Sequence, residues 1–592
     1  MGTLRQIVIP GIYKYNTERW KQMYRNSLLT VQAAVKVLLP CCLFTLSPSQ
    51  ASAAKALKGW NTLTQPDGTT VTVELCGDEW NHYYRTRDGQ TLVLDDDGWL
   101  RPPEQSRQPA RAMPRRKLPT PTKEWDPERI YKTPVILVAF SDRDFRMENA
   151  NEYYNNVFNV SGYNEGKGPG CVADYFKDQS GGLFNPQFDV YGPIKVSMEA
   201  KSNGTYGTAA YREALTKLAD SLQTGKIQID FSEYDWDGNG YVEQVIYVYA
   251  GYGANEDSDE TKGCIWPSTG SFDTTQVGDV KANSYTGSAE LFYGNGRNVS
   301  CGIGTICHEF SHCLGLPDMY PTPGTTSDYS VVDEYDLMDG GNFVNAGWCP
   351  PNYSAHEREY MGWLAPLELD TTQQITGMAS LTKGGDVYKV VNNAPNSGVD
   401  EYYLLENRQW EGWDFYIPNH GLLITHIDFN ASNWTSNTVN SDKNHRRMEF
   451  VHACGLNYMA YENLSGLSRK SGRSPYLRYS VYPYISDTLE VRALTDTTRV
   501  AATVFNANEQ GEYFMGKPIM NIRELEDGTI SFNFFASNDE VETVGIANIF
   551  TRPEARERRI YDLAGRRQSR LNPGLNIVVT EDGKTVKLIT HN

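Results

Sequence analysis

Histidine is scarce, with nine in 592 residues. Any pattern that needs two of them at a fixed spacing is therefore informative. Long apolar runs are scarcer: beyond residue 46 none is long enough to cross a bilayer, so no transmembrane segment is expected once an N-terminal leader is removed. A basic patch is missing too. With 55 Lys+Arg against 73 Asp+Glu the formal net charge is −18, which argues against a nucleic-acid partner and favours solubility and the binding of hard cations. Compositional bias is absent: 40% hydrophobic and 12% aromatic residues are enough for ordinary cores, which excludes bulk disorder. Of the ten cysteines, Cys41 and Cys42 fall in the leader. The others (Cys76, Cys171, Cys264, Cys301, Cys307, Cys313, Cys349, Cys454) have no repeating spacing, so they define no disulfide framework and their pairing is not readable.

What is there centres on Cys307-His308-Glu309-Phe310-Ser311-His312-Cys313-Leu314-Gly315-Leu316-Pro317-Asp318. Two helical residues four apart lie one turn above each other, so His308 and His312 can aim imidazole nitrogens at one point. That is half of a tetrahedral zinc site. Glu309 is rotated away from the pair but can reach a water on the metal, as a general base must. Gly315 is a helix end, so the chain can turn and bring Asp318 back as a third ligand, leaving a fourth position for water. Chance would place an H-E-x-x-H in roughly one such chain in a hundred, and the following Gly and Asp reduce that further. The competing reading is a buried helix with two satisfied core histidines. Tyr335-Asp336-Leu337-Met338-Asp339-Gly340-Gly341 places Met338 in a turn, as in the metzincin pattern, where a methionine underlies the zinc.

The run Gly302-Ile303-Gly304-Thr305 into His308-Glu309-Phe310-Ser311-His312, then Leu314-Gly315-Leu316-Pro317-Asp318, resembles the M6 (immune inhibitor A-like) secreted bacterial zinc metalloproteases. Metzincins carry His as third ligand; this chain has Asp318, as the M6 group does. The resemblance spans about Lys55 to His452. It implies a zinc peptidase acting on proteins or peptides and a pro-segment ahead of the catalytic domain, hence a zymogen.

The expected architecture is multidomain: an α/β (α+β) metzincin-like zinc protease domain with β-rich units on either side. Residues 1–53 read as a signal peptide, with Lys14, Arg19, Lys21 and Arg25 before the apolar run Val37 to Leu46 and a small-residue site at Ala51-Ser52-Ala53. Met23 offers a second start, and Cys41-Cys42 raises a lipoprotein alternative that Pro40 does not suit. Export to the medium or the cell surface follows. Residues 54–125 read as a β-rich pro-segment ending in the exposed, Pro-rich Arg115 to Thr122 linker, with Cys76 as a candidate latency ligand for zinc. The protease domain is expected over 126–369. A second β-rich domain should fill 370–540, where Glu406, His420 and His426 are a further, less favoured metal grouping. Residues 541–592 should form a small β-module, which resembles the C-terminal segments of exported Bacteroidetes proteins and is either a sorting signal or a cap.

A second chemical signal lies at Asp235-Trp236-Asp237-Gly238-Asn239-Gly240-Tyr241-Val242-Glu243. Oxygen donors alternate at Asp235, Asp237 and Asn239, Gly240 allows a bend, and the Tyr241 carbonyl can join, as a calcium loop requires. Ile246 stands where an EF-hand has its bidentate Glu, so Glu243 has to compensate; a plain Asp/Gly turn is the alternative. A rival function from another class is a surface adhesin or glycan-binding protein with a vestigial peptidase domain. Hydrolysis of a non-peptide ester or amide also remains open. Substrate preference, activation site and oligomeric state are not written in these motifs.

Overall fold

The computed structural model describes residues 55–541, apart from short stretches of which 104–117, 293–298, 323–329 and 457–474 are the longest, and backbone strands between 559 and 590. The expected leader, 1–53, lies outside the described residues. Five antiparallel strands come first, in chain order: β1 (Asn61–Thr64), β2 (Thr70–Gly77), β3 (His82–Thr86), β4 (Thr91–Leu94) and β5 (Leu100–Arg101). Leu63, Val73, Leu75, Tyr84, Leu92 and Leu100 close one face of this sheet around Trp266 of the next unit. Ahead of β1, buried Lys55 reaches the same unit, donating from Nζ to Ser330 Oγ at 2.8 Å and pairing with Asp339 at 3.4 Å.

The central unit contains β6 (Tyr131–Ala139), α1 (Ala150–Asn159), α2 (Val172–Gln179), β7 (Pro186–Lys195), α3 (Thr208–Gln223), β8 (Val245–Tyr252), β9 (Ser268–Val277), β10 (Val280–Phe292), β11 (Val299–Ser300), α4 (Gly304–Leu314) and α5 (Ala355–Tyr360). The strand order is β11-β10-β8-β6-β7, with β9 paired to β10. Strands β10, β8, β6 and β7 run parallel. Parallel strands are covered on both faces and so read as continuous apolar runs, which is why all of β8 and Val135 to Ala139 of β6 are buried. On one face Val135, Leu137, Ile246 and Val248 join Phe158 of α1, Phe176 of α2 and Phe310 of α4. On the other, Ile136, Val138, Tyr247 and Tyr249 join Tyr211, Ala214 and Leu215 of α3.

Strands dominate after α5: β12 (Leu367–Glu368), β13 (Gln373–Met378), β14 (Tyr388–Val391), β15 (Glu401–Arg408), β16 (Gly421–Asp428), then the short helix α6 (Ala431–Thr435), β17 (Met448–Phe450), β18 (Tyr484–Ile485), β19 (Glu490–Val491), β20 (Ile519–Glu524) and β21 (Ile530–Phe534). They form a five-stranded sheet β12-β14-β15-β16-β17, a three-stranded sheet β13-β21-β20 and the pair β18-β19. Alternation along β15 divides its side chains between two cores. Tyr402 and Leu404 join the core that holds α2 and α4, whereas Tyr403 and Leu405 join that of β20 and β21. One apolar core therefore runs from the parallel sheet into the second sheet. The chain ends in four antiparallel strands, β22 (Arg559–Tyr561), β23 (Arg567–Gln568), β24 (Gly574–Val579) and β25 (Thr585–Thr590), in the order β23-β22-β24-β25. This is a mixed sheet and helix architecture, and among the described residues no helix is long and apolar enough to cross a membrane.

Polar links reinforce the shared core. Arg408 of β15 is fully buried; its Nε and Nη2 bond Asp414 at 2.7 and 2.6 Å, and Nη2 also donates to the carbonyls of Tyr335 at 3.1 Å and Asn352 at 3.2 Å. Glu406 lies 3.6 Å from its third nitrogen. Removing one partner of such a buried pair leaves the other charge uncompensated. Arg408→Met is therefore expected to destabilise the protein by about 3–5 kcal/mol, read as a lower denaturant midpoint in equilibrium unfolding.

Candidate metal centre

Helix α4 is positioned by glycines at both ends. A Cβ on Gly304 would sit 1.8 Å from the Asn342 carbonyl, so only glycine lets the helix start this close to the following loop. At the other end Gly315 takes φ +105°, its N–H bonds the His312 carbonyl at 3.1 Å, and Leu316 N–H bonds the Ser311 carbonyl at 3.1 Å. These are the two hydrogen bonds of a Schellman ending. The reversal brings the Leu316 carbonyl back to His312 Nδ1, 2.7 Å away.

Both histidines are fixed in the same way. His308 Nδ1 lies 2.8 Å from the Leu337 carbonyl, in the turn that carries Met338. A carbonyl only accepts, so each Nδ1 carries the proton and each Nε2 presents a lone pair. The two lone pairs converge with Asp318: His308 Nε2 is 3.2 Å and His312 Nε2 3.4 Å from Asp318 Oδ1. A tetrahedral ion with zinc-like bonds of about 2.0–2.1 Å holds its ligand atoms roughly 3.3–3.4 Å apart, close to the two distances from Asp318. The donor set, two imidazoles and one carboxylate with no further metal-capable group beside them among the described residues, suits a catalytic zinc. His308 Nε2 and Asp318 Oδ1 are buried and have no hydrogen-bond partner among the described residues. The same is true of both Glu309 carboxylate oxygens. Four orphaned polar atoms in one place mark a site built for something the chain itself does not supply.

Electrostatics agree. Burial alone would raise the Asp318 carboxyl, but the His312 and His308 imidazoles outweigh it and hold it well below the carboxylate range. Burial would lower His312, and the Asp318 carboxylate beside it raises it instead, to about 9. Burial pushes the Glu309 carboxyl up, against the pull of the two imidazoles. Met338 is fully buried; its N–H bonds Asp336 Oδ1 at 2.7 Å and its carbonyl accepts the N–H of Met319, next to Asp318, at 2.8 Å. The methionine turn is thus tied to both His308 and the Asp318 loop.

Residues 121–363 match the family described as immune inhibitor A peptidase M6, catalytic domain. Residues 121–363 are thus similar to the catalytic domain of M6 peptidases. Over 327 residues the chain is 23% identical to immune inhibitor A of Bacillus thuringiensis subsp. alesti, covering 45% of this chain and 47% of that protein. Over 268 residues it is 22% identical to the pre-pro-metalloprotease PrtV of Vibrio cholerae serotype O1 (strain M66-2), covering 41% of this chain and 28% of the relative. The chain spans about half the length, or less, of the curated relatives it matches.

Within the M6 domain the carboxylates of Asp235, Asp237 and Glu243 also come together, in the loop before β8. Asp235 accepts N–H bonds from Asn239 at 3.0 Å and Gly240 at 2.7 Å, Asn239 Oδ1 accepts the Tyr241 N–H at 2.8 Å, and Glu243 accepts those of Trp236 at 2.7 Å and Asp237 at 3.0 Å. Burial pushes the Glu243 carboxyl up to about 7, against the pull of the N–H groups of Trp236 and Asp237.

Two candidate metal roles are not supported by the positions of their residues. Cys76 is buried in the N-terminal sheet with Sγ 3.7 Å from the Glu74 carbonyl, and no metal-capable group among the described residues includes it. Glu406, His420 and His426 do not meet: Glu406 accepts the Ala355 N–H at 3.1 Å, His420 lies 2.5 Å from Glu524, and His426 lies 2.8 Å from Glu401. Alternation along β15 and β16 sends these side chains to different faces and neighbours. Cys307 is buried in the main core while Cys313 Sγ lies 3.6 Å from Thr286 Oγ1, so each packs apart from the other.

Sequence reasoning missed the partners. The Leu316 and Leu337 carbonyls are main-chain groups with no residue-type signature. Beneath the turn Asp336 faces Glu357 of α5, both buried, and neither Asp336 Oδ2 nor Glu357 Oε1 has a donor among the described residues. One shared proton satisfies both. Burial, with Asp339 nearby, raises Asp336 to about 6, and burial with the Asp336 charge raises Glu357 well above its usual range. Acids whose folded pKa is raised stabilise fully below their unfolded pKa, and that contribution is lost as pH rises through the folded value. Glu357→Gln supplies an N–H in place of the shared proton. Its thermal midpoint is expected to fall less than that of wild type between pH 5 and pH 8, measured by calorimetry at fixed zinc.

Proposed function

We propose that the chain is a zinc-dependent endopeptidase of proteins or peptides, exported and made as a zymogen. The observation that carries this is the convergence of His308 Nε2, His312 Nε2 and Asp318 Oδ1 beside the partnerless Glu309 carboxylate. His308, His312 and Asp318 would hold the metal. When bound, zinc polarises the scissile carbonyl and lowers the pKa of a coordinated water. Glu309 accepts the proton of the attacking water and returns it to the leaving amine; burial, which pushes its carboxyl up, favours the accepting half of that task. Water is the nucleophile, so no acyl-enzyme forms. The leader-like residues 1–53 support export. The basic, Pro-rich sequence between β5 and β6 and the pre-pro-metalloprotease description of the Vibrio relative support a zymogen.

The test compares the full chain, before and after limited proteolysis, with its Glu309→Gln twin on denatured casein. Both are expected to carry about one zinc per chain, and the twin to lose about 10²–10⁴-fold in turnover. A twin that cleaves at the wild-type rate overturns the general-base role. Zinc in both with no cleavage by either favours the binding-protein reading.

Asp235, Asp237, Asn239, Glu243 and the Tyr241 carbonyl would take calcium, since a hard cation needs oxygen donors and answers the half-buried Glu243 charge. At a hundredfold excess over Kd, calcium is expected to stabilise the zinc-loaded protein by about 2.7 kcal/mol. The rise in thermal midpoint should vanish in Asp237→Ala; an unchanged midpoint in wild type rejects the site.

A further inference from the structure

The carboxylate that completes the metal centre is not held by its own segment. Asp318 Oδ1 faces the two imidazoles, while Oδ2 accepts a hydrogen bond from Asn437 Nδ2 at 2.6 Å. In return Asn437 Oδ1 accepts the backbone N–H of Asp318, also at 2.6 Å. The two bonds fix the carboxamide's orientation, because a flipped amide would set N–H against N–H and oxygen against carboxylate. Both residues are buried, so water does not compete.

Asn437 is itself held firmly. It takes φ +56°, a left-handed conformation that asparagine tolerates, and follows α6. Its N–H bonds the Trp434 carbonyl at 3.1 Å, its carbonyl accepts Thr322 Oγ1 at 2.6 Å, and the next N–H, of Thr438, bonds Asn433 O at 2.9 Å. Three residues on, Asn440 Nδ2 bridges the carbonyls of Met319 and Met448 at 2.7 and 2.8 Å, tying the residue after Asp318 to β17. Asn437 lies 119 residues along the chain from its partner and outside the segment that matches the M6 catalytic domain.

We propose that Asn437 is a positioning residue for the metal: it clamps Oδ2 of Asp318 so that Oδ1 is already turned toward His308 and His312, which makes metal affinity depend on the second sheet unit. This rests on the zinc reading above. Without the clamp the carboxylate has to be ordered when metal binds, and loss of such outer partners weakens metal binding about 10–100-fold.

Two variants separate the clamp from backbone strain. Asn437→Gly keeps the positive φ and removes the carboxamide. Asn437→Asp keeps the shape and the acceptor for Asp318 N–H but sets a carboxylate against Oδ2. On the full chain, with zinc alone and a competing chelator, the zinc dissociation constant is expected to rise about 10–100-fold in Asn437→Gly and at least as far in Asn437→Asp. The visible spectrum of the cobalt-substituted protein should shift in both, while the metal-free Asn437→Gly protein melts within a few degrees of wild type. Wild-type affinity and spectrum in Asn437→Gly overturn the clamp. So does an equal affinity loss in Asn440→Ala, which would mean general loosening of the segment. His308→Ala runs alongside: if it binds zinc no more weakly than wild type, the zinc site itself falls and the clamp with it.

Discussion

The structure depends on keeping three electron-pair donors buried, close together and turned toward one another. A carboxylate oxygen and two imidazole nitrogens with no donor between them repel in a low-dielectric interior, and burying an uncompensated carboxylate costs several kcal/mol. Within the chain alone the Asp318 carboxylate outweighs burial at His312 and raises it to about 9. A divalent cation compensates that carboxylate more completely and without a proton. Each surrounding detail serves that convergence. The Schellman ending at Gly315 returns Leu316 to His312, the methionine turn offers Leu337 to His308, and the Asp318 loop leans on Met338.

Those backbones are rigid because the site sits on a core shared by two sheets. Ser311, inside the H-E-x-x-H motif, bonds the fully buried Tyr353, and the carbonyl before the methionine turn, that of Tyr335, accepts Arg408 of β15. The path from the second sheet to His308, His312 and Asp318 is therefore short and made of buried, directional bonds, which hold geometry better than apolar contacts alone. Asn437 extends the same arrangement to Asp318. The matched M6 segment ends at 363, but the groups that orient His308 and Asp318 come from both sides of that point.

Much of this was legible, for physical reasons that differ by element. Strands β6, β8, β15 and β16 announce themselves through continuous or alternating apolar residues, and α4 through its two histidines and terminal glycine. Helix α1 does not: Ala150–Asn159 is rich in asparagine and tyrosine, poor helix formers, and it is helical because Tyr154, Val157 and Phe158 find a core. The β9–β10 hairpin escaped because Ser268–Val277 is polar along most of its length, although Gly278-Asp279 between Val277 and Val280 is a two-residue hairpin signal. The Glu406, His420 and His426 grouping failed because closeness in sequence across adjoining strands says nothing about which face each side chain takes. Asn437 was invisible because a pairing 119 residues apart leaves no local pattern.

The same logic separates the metal centre from the N-terminal sheet that precedes it. Asp339, just past Met338, divides its oxygens: Oδ2 accepts the N–H groups of Val331, Val332 and Asp333 at 2.8, 3.1 and 3.0 Å, and Oδ1 meets Lys55. The three backbone bonds come from the central unit itself and define how residues 331–333 lie against the turn. Lys55 uses the other oxygen and adds charge compensation for a buried carboxylate without setting that geometry. The shape of the methionine turn, and with it the Leu337 carbonyl that orients His308, is therefore fixed within the central and second sheet units, while the N-terminal segment contributes a charge.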